Sequence, residues 1–185
     1  MKNMKRLFVA FFVFLYTVAP CFGDKPTMYE TKPRDYPDAL ISLPGAKDVR
    51  YYQLGGTFHL EYDIVCKYPA MEVIKTISDK LAENAWKPLR EDYLNPGLPS
   101  SHVTGWTSFG DISVKPEREI HQWLANWENE KGEVITYGLI YQYERGKAKD
   151  LDNLEVIVIF APAKIAKQMR EWALEDSKLK RNLNK

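Results

Sequence analysis

The stretch "EIHQWLANWENEKGEVITYGLIYQYE", residues 119–144, decides the fold. If Gly132 takes the left-handed position of a three-residue hairpin loop with a bulge, Asn129 lies opposite Glu133. Trp127 then faces Ile135, Ala125 faces Tyr137, Trp123 faces Leu139 and His121 faces Tyr141. A slip of one residue would pair Trp127 with Val134 and Trp123 with Gly138, dividing the apolar set between the two faces. Turn chemistry and hydrophobic pattern therefore select one antiparallel register.

Downstream, the polar turn "ERGKAKDLDN" leads into "LEVIVIF", a nearly continuous β-branched run expected in the middle of a sheet. In "PAKIAKQMREWALED", Ile165, Met169, Trp172 and Ala173 fall on one helical face. Upstream, "VRYYQL" and "TFHLEYDIV" flank Gly55-Gly56, a pair suited to the positive φ angles of a two-residue hairpin turn. In the second of these strands Phe58, Leu60, Tyr62 and Ile64 face one way, and Thr57, His59, Glu61 and Asp63 face the other, which predicts a wet face. "YPAMEVIKTISDKLAENAWKPL" predicts a helix with Pro69 in its first turn, an apolar stripe through Val73, Ile74, Ile77, Leu81 and Trp86, and an end at Pro88. Strand-like character resumes around "HVTGWTSFGDISV". The order β-β-α-β-β-β-β-α predicts a two-layer α+β domain, with an antiparallel sheet of five to six strands packed against two helices.

The chain opens with Lys2, Lys5 and Arg6, then the 12-residue apolar run "LFVAFFVFLYTV" and the exit "APCFG". Basic, apolar and small-residue regions in that order are the signature of a secretory signal peptide, and the run is short for a membrane span. Residues 1–23 are expected to be removed by cleavage between Gly23 and Asp24. A lipobox-like reading of "VAPC" would instead acylate Cys21 and hold the protein on a membrane; Pro20, where small residues are the norm, departs from that pattern. An uncleaved N-terminal anchor is the third alternative. Removal of the signal leaves 162 residues with Cys66 as the remaining cysteine, and so without an internal disulfide. A lone thiol after the apolar "YDIV" reads as a small buried hydrophobe.

Residues 24–48 hold four prolines and many charges and are expected to form an extended arm or linker. The domain is then expected over 49–176, with a basic flexible tail over 177–185. The whole chain has 26 Lys and Arg against 25 Asp and Glu, and loss of the signal leaves 23 against 25. That balance argues against nucleic acid as a partner, which calls for a basic face.

Two side-chain groups invite chemistry. His59, Glu61 and Asp63 project from one side of one strand and could offer metal ligands, although same-side neighbours stand about 7 Å apart and need help from an adjacent strand. Against the metal stands a plainly solvated face. His121, Trp123, Trp127, Tyr137 and Tyr141 form an aromatic surface that could stack on a sugar or apolar ligand, unless helices cover it and it is core. Ser100, Ser101 and His102 set hydroxyls beside an imidazole, but without the glycine-flanked elbow of hydrolases. No phosphate loop, Cys-x-x-Cys pair or zincin motif occurs, and no cofactor is implied.

Residues 43–52, "LPGAKDVRYY", and 58–88, "FHLEYDIVCKYPAMEVIKTISDKLAENAWKP", combine a Pro-Gly-Ala entry, a strand, a Tyr-Pro-started helix and a closing Trp. The pattern resembles small exported bacterial proteins of unassigned function. The resemblance implies export and an α+β fold, and carries over no catalytic residue. The leading expectation is thus an exported, periplasmic or secreted, non-enzymatic module binding a protein or envelope component. The alternatives are a small envelope hydrolase using His59, Glu61, Asp63 or His121, and a small-ligand carrier using the aromatic sheet face.

Overall fold

The computed structural model describes residues 25–113, 115–146 and 151–183, with side chains through residue 178. The signal peptide, Cys21 and the Gly23–Asp24 cleavage site lie outside the described residues. Within them the chain forms one antiparallel sheet of eight strands with three helices.

Gly55 and Gly56 take φ of 56° and 80° and join β2 (Lys47–Leu54) to β3 (Thr57–Val65), with Leu54 opposite Thr57. The long hairpin pairs β6 (Arg118–Glu128) with β7 (Val134–Glu144) in the predicted register, Trp127 opposite Ile135 and His121 opposite Tyr141. Gly132 sits at φ 76°, and its N–H donates to Asn129 O at 3.0 Å. The apolar run Asn153–Ala161 is β8, inserted at the centre between β3 and β7. The edges are short: β1 (Thr27–Tyr29) pairs with β2, while β4 (Lys87–Pro88) and β5 (Thr107–Asp111) both pair with β6. Sequence pattern had suggested β2, β3, β5, β6, β7 and β8; the two shortest strands carry too few residues to show a period.

One sheet face carries the main core: Leu60, Tyr62, Trp127, Ile135, Leu139, Val156 and Val158 are all almost fully buried, together with Val73, Ile77 and Leu81 of α1 (Met71–Glu83). The α1 helix stops well short of Pro88. Trp86 N donates to Leu81 O at 3.0 Å, and the Trp86 ring folds back into the core.

The proline-rich stretch, expected as an extended arm, instead turns repeatedly, with Tyr36 N, Leu40 N and Ala46 N donating to the carbonyls of Pro33, Pro37 and Leu43, and it packs on the domain. Tyr36, Leu40 and Leu43 are only 4%, 2% and 6% exposed within the main core. The Tyr36 hydroxyl accepts from His59 N at 3.1 Å and is shared between the carbonyls of Tyr52 and His59. Prolines set the local conformation there, while the apolar residues between them decide the burial.

The α3 helix (Ala163–Leu183) continues through the stretch expected as a flexible tail. Its Ala166 and Met169 pack with Val134 and Ala161, which alternate with Ile135 and Phe160 and so lie on the opposite sheet face from α1. The two long helices therefore take opposite faces, not one shared layer. Gly56 lies so close to α3 that an added Cβ would stand 3.1 Å from Ile165 Cδ1.

The connection 89–100 folds over the second face. Asp92 Oδ1 accepts from Leu94 N and Asn95 N, and Asp92 N and Ser100 N bond to Leu98 O and Arg90 O. Arg170 on α3 ties this roof down: its guanidinium donates to Tyr93 O at 2.9 Å and Glu91 Oε2 at 2.8 Å and lies 5.5 Å from the Tyr93 ring centre. A one-turn helix, α2 (Ser101–Thr104), leads from the roof to β5.

Candidate functional site

The aromatic hairpin face is core. Trp123, Trp127, Tyr137 and Tyr141 are 3%, 1%, 2% and 0% exposed, in one cluster with α1 and the proline-rich stretch. His102 of α2 stands edge-on to Trp127 with ring centres 4.4 Å apart, and to Trp123 at 5.5 Å. Burial holds the His102 pKa below the ordinary imidazole value. Ser100 caps the turn, and Ser101 Oγ accepts from Leu124 N at 2.9 Å. The Ser-Ser-His run thus has structural partners, and a carrier has no open aromatic groove among the four buried rings.

His121 alone of that set reaches the rim, half-buried, at the end of a run of rings that passes outward from the core. Tyr141, whose hydroxyl donates to Cys66 O at 2.7 Å, stands 5.5 Å from Trp106. Trp106 Nε1 donates to Pro69 O at 3.0 Å, which locks the α2–β5 connection onto the β3–α1 connection. Tyr68, 38% exposed, packs edge-on against Trp106, His121 and Tyr141. The elements meeting here also expose Val65 (64%), Met71 (62%) and Val103 (53%). Cys66 is a free, half-buried thiol.

The polar side of this rim is a directional hydrogen-bond chain. Tyr143 O–H reaches Glu119 Oε2 at 2.5 Å, and because a carboxylate only accepts, the tyrosine donates its single proton there. His121 Nε2, 3.3 Å from the same hydroxyl, must then carry the proton and donate. That leaves Nδ1 as an acceptor for the exposed Ser108 hydroxyl at 2.9 Å. The Glu119 bond raises the Tyr143 pKa and keeps it a donor. Arg145 stands behind the carboxylates, 2.9 Å from Glu117 and 3.9 Å from Glu119.

The expected metal set does not converge. His59 and Glu61, predicted on a wet face, are 7% and 3% exposed, because the Tyr52 and Arg50 side chains of β2 lie against them. The Tyr52 ring stacks on His59 at 4.5 Å, and its hydroxyl donates to Glu61 Oε1 at 2.6 Å. Arg50 lies 3.4 Å from Glu61 Oε2. Thr57 Oγ1 donates to Leu54 O at 2.5 Å and so accepts from His59 Nε2 at 2.7 Å, which leaves Nδ1 buried without a partner. Burial pushes the His59 pKa down to about 3 and keeps the ring neutral. Asp63 instead borders a cleft of about 510 Å³ with Arg50 and Glu155. Among the described residues, no three His, Cys, Asp or Glu side chains gather as a metal-binding group.

Sequence reasoning singled out His121 but missed its partners. Glu119 and Tyr143 were within reach of it, since the hairpin register pairs them directly. Ser108 depends on the β5–β6 pairing, and Tyr68 and Trp106 meet through loops; neither leaves a periodic trace. In comparisons with known proteins, the chain matches no family model, no curated protein and no solved structure.

Proposed function

We propose that this protein is an exported, non-enzymatic α+β module that binds a protein or another envelope component through the rim around Tyr68. The observation that carries the reading is the run of rings from fully buried Tyr141 through Trp106 to exposed Tyr68, with Val65, Met71 and Val103 exposed on the elements that the rings join. A rigid exposed aromatic among apolar neighbours is the usual anchor of a protein interface. Export rests on the first 23 residues; among the described residues no helix is long and apolar enough to cross a membrane. A photo-crosslinking residue at position 71 is expected to give a discrete adduct in intact cells that weakens in the Tyr68→Ala variant. The same probe at the exposed position 167 is the control, and equal adducts from both would remove the reading. Intact mass of the exported protein tests processing: a chain beginning at Asp24 is expected, whereas an acylated Cys21 would place it on a membrane.

The Ser108–His121–Tyr143–Glu119 chain favours a second reading, a small hydrolase. In it Ser108 Oγ would attack an activated ester carbon as its proton passes to His121 Nδ1, then to the leaving alcohol, and water would release the acyl group. On this reading a fluorophosphonate forms an adduct on Ser108 that His121→Gln abolishes. An unlabelled Ser108 retires the reading.

A further inference from the structure

The outer edge of β5 is open. Alternate residues of a strand turn their main-chain N–H and C=O to opposite sides. Asn126 O accepts from Leu89 N at 2.8 Å and Gln122 O from Thr107 Oγ1 at 3.2 Å, so the even-numbered residues of β6 turn away from β7 and towards β5. Gln122, Ile120 and Arg118 pair with Thr107, Phe109 and Asp111, whose main-chain groups therefore point at β6. Those of Ser108 and Gly110 point outward, and among the described residues β5 pairs with no strand but β6.

This edge lacks the devices that keep strands of different molecules apart. Its register runs unbroken from Thr107 to Asp111, without a bulge, and its sequence TSFGD holds no Lys, Arg or Pro. At the other end of the sheet, β1 is only three residues long and follows Lys25 and Pro26. Phe109 on β5 is 37% exposed, and Ile112 just beyond it is 73% exposed.

The order of side chains along the edge selects a second copy of the chain as its occupant. A two-fold axis through Phe109 sets Ser108 opposite the partner's Gly110, and the two exchange both main-chain hydrogen bonds. Phe109 meets the partner's Phe109 at the closer spacing of an antiparallel pair, about 4.5 Å between Cα atoms. Asp111 meets the partner's Thr107, a hydroxyl in place of a like charge. Continued by one residue, the pairing sets Ile112 opposite the partner's Trp106. An axis through Gly110 would set Phe109 against Asp111, and one through Asp111 would bring two carboxylates face to face.

We propose that two copies of this chain associate by antiparallel pairing of β5 with β5 about Phe109, joining their sheets into one. This pairing stands whether or not the Tyr68 rim binds a foreign partner.

Sedimentation equilibrium of the purified protein, at concentrations up to about 1 mM, is expected to show a monomer–dimer equilibrium. Gly110→Pro removes an outward N–H that β6 does not use, and should weaken the dimer by about tenfold or more while the monomer keeps its thermal transition. Phe109→Cys gives a readout free of the proline variant's folding: mild oxidation should form a disulfide that peptide mapping places at 109–109, because that pair lies within disulfide reach. Ile112→Cys should give no 112–112 disulfide, since those positions would stand about 20 Å apart along the paired strands. A monomer at every concentration would overturn the proposal and leave the edge to a strand of another protein. A dimer unaffected by Gly110→Pro, or a 112–112 disulfide forming as readily as the 109–109 one, would overturn it too.

Discussion

Glu61 and His59 look like surface residues in sequence, because alternation places them opposite Leu60 and Tyr62. The structure buries both: Tyr52 and Arg50 hold the Glu61 carboxylate, while His59 bonds Thr57 through Nε2 and keeps Nδ1 without a partner. Burial without charge is the cheapest state for such an imidazole, since a buried cation would need a paired anion. This fixes the sign of a pH effect. The folded His59 stays neutral down to about pH 3, whereas the unfolded chain takes up a proton as pH falls through the ordinary histidine value. Its contribution is therefore complete above that ordinary value and is lost progressively as pH falls from there towards the folded value, by up to about tenfold in the folding equilibrium per pH unit. His102, shifted in the same direction, adds to the slope. Thermal unfolding from about pH 7 to about pH 4 should show a steeper fall in Tm for the wild-type protein than for His59→Gln, whose amide can keep the bond to Thr57. Equal slopes would assign the acid sensitivity to other groups.

At the scale of elements, the long hairpin was legible to the residue because two independent signals, a glycine-bearing turn and an apolar alternation, agree on one register. The β2–β3 turn was legible for the same reason. The proline-rich stretch was not, since proline suits the turns of a packed segment as well as an extended linker. What separates the two is the burial of Tyr36, Leu40 and Leu43, which depends on residues far along the chain. Leu40→Ala is accordingly expected to cost about 2–5 kcal/mol, the range for a truncated core leucine, as measured by urea unfolding. A loss below about 0.5 kcal/mol, the scale of surface changes, would return the segment to the status of a linker. The candidate site divides along the same line. The His121–Tyr143–Glu119 part follows from the hairpin register, while Ser108, Tyr68 and Trp106 arrive through edge pairing and loop packing.

For the whole molecule, the two faces of the sheet hold different kinds of structure. One is a continuous core sealed by α1 and the proline-rich stretch. On the other, α3 and the roof loop meet through Arg170, Tyr93 and Glu91, and Tyr93 O–H also donates to Ala166 O at 2.8 Å. A planar guanidinium making several bonds at once is not replaced by a lysine. Arg170→Ala should cost about 1–3 kcal/mol and make residues 89–100 cleave several-fold faster in limited proteolysis, with Arg170→Lys rescuing little. Unchanged cleavage would mean that the internal bonds of the roof hold it without the helix.

The placement of β8 between β3 and β7 has a consequence for when the protein becomes a structure. Leu60 finds its cross-strand partner in Val158, and the centre of the sheet stays open until β8, the last strand among the described residues, is present. Contacts so distant in sequence slow folding. A polypeptide of this topology emerges from synthesis without its native core.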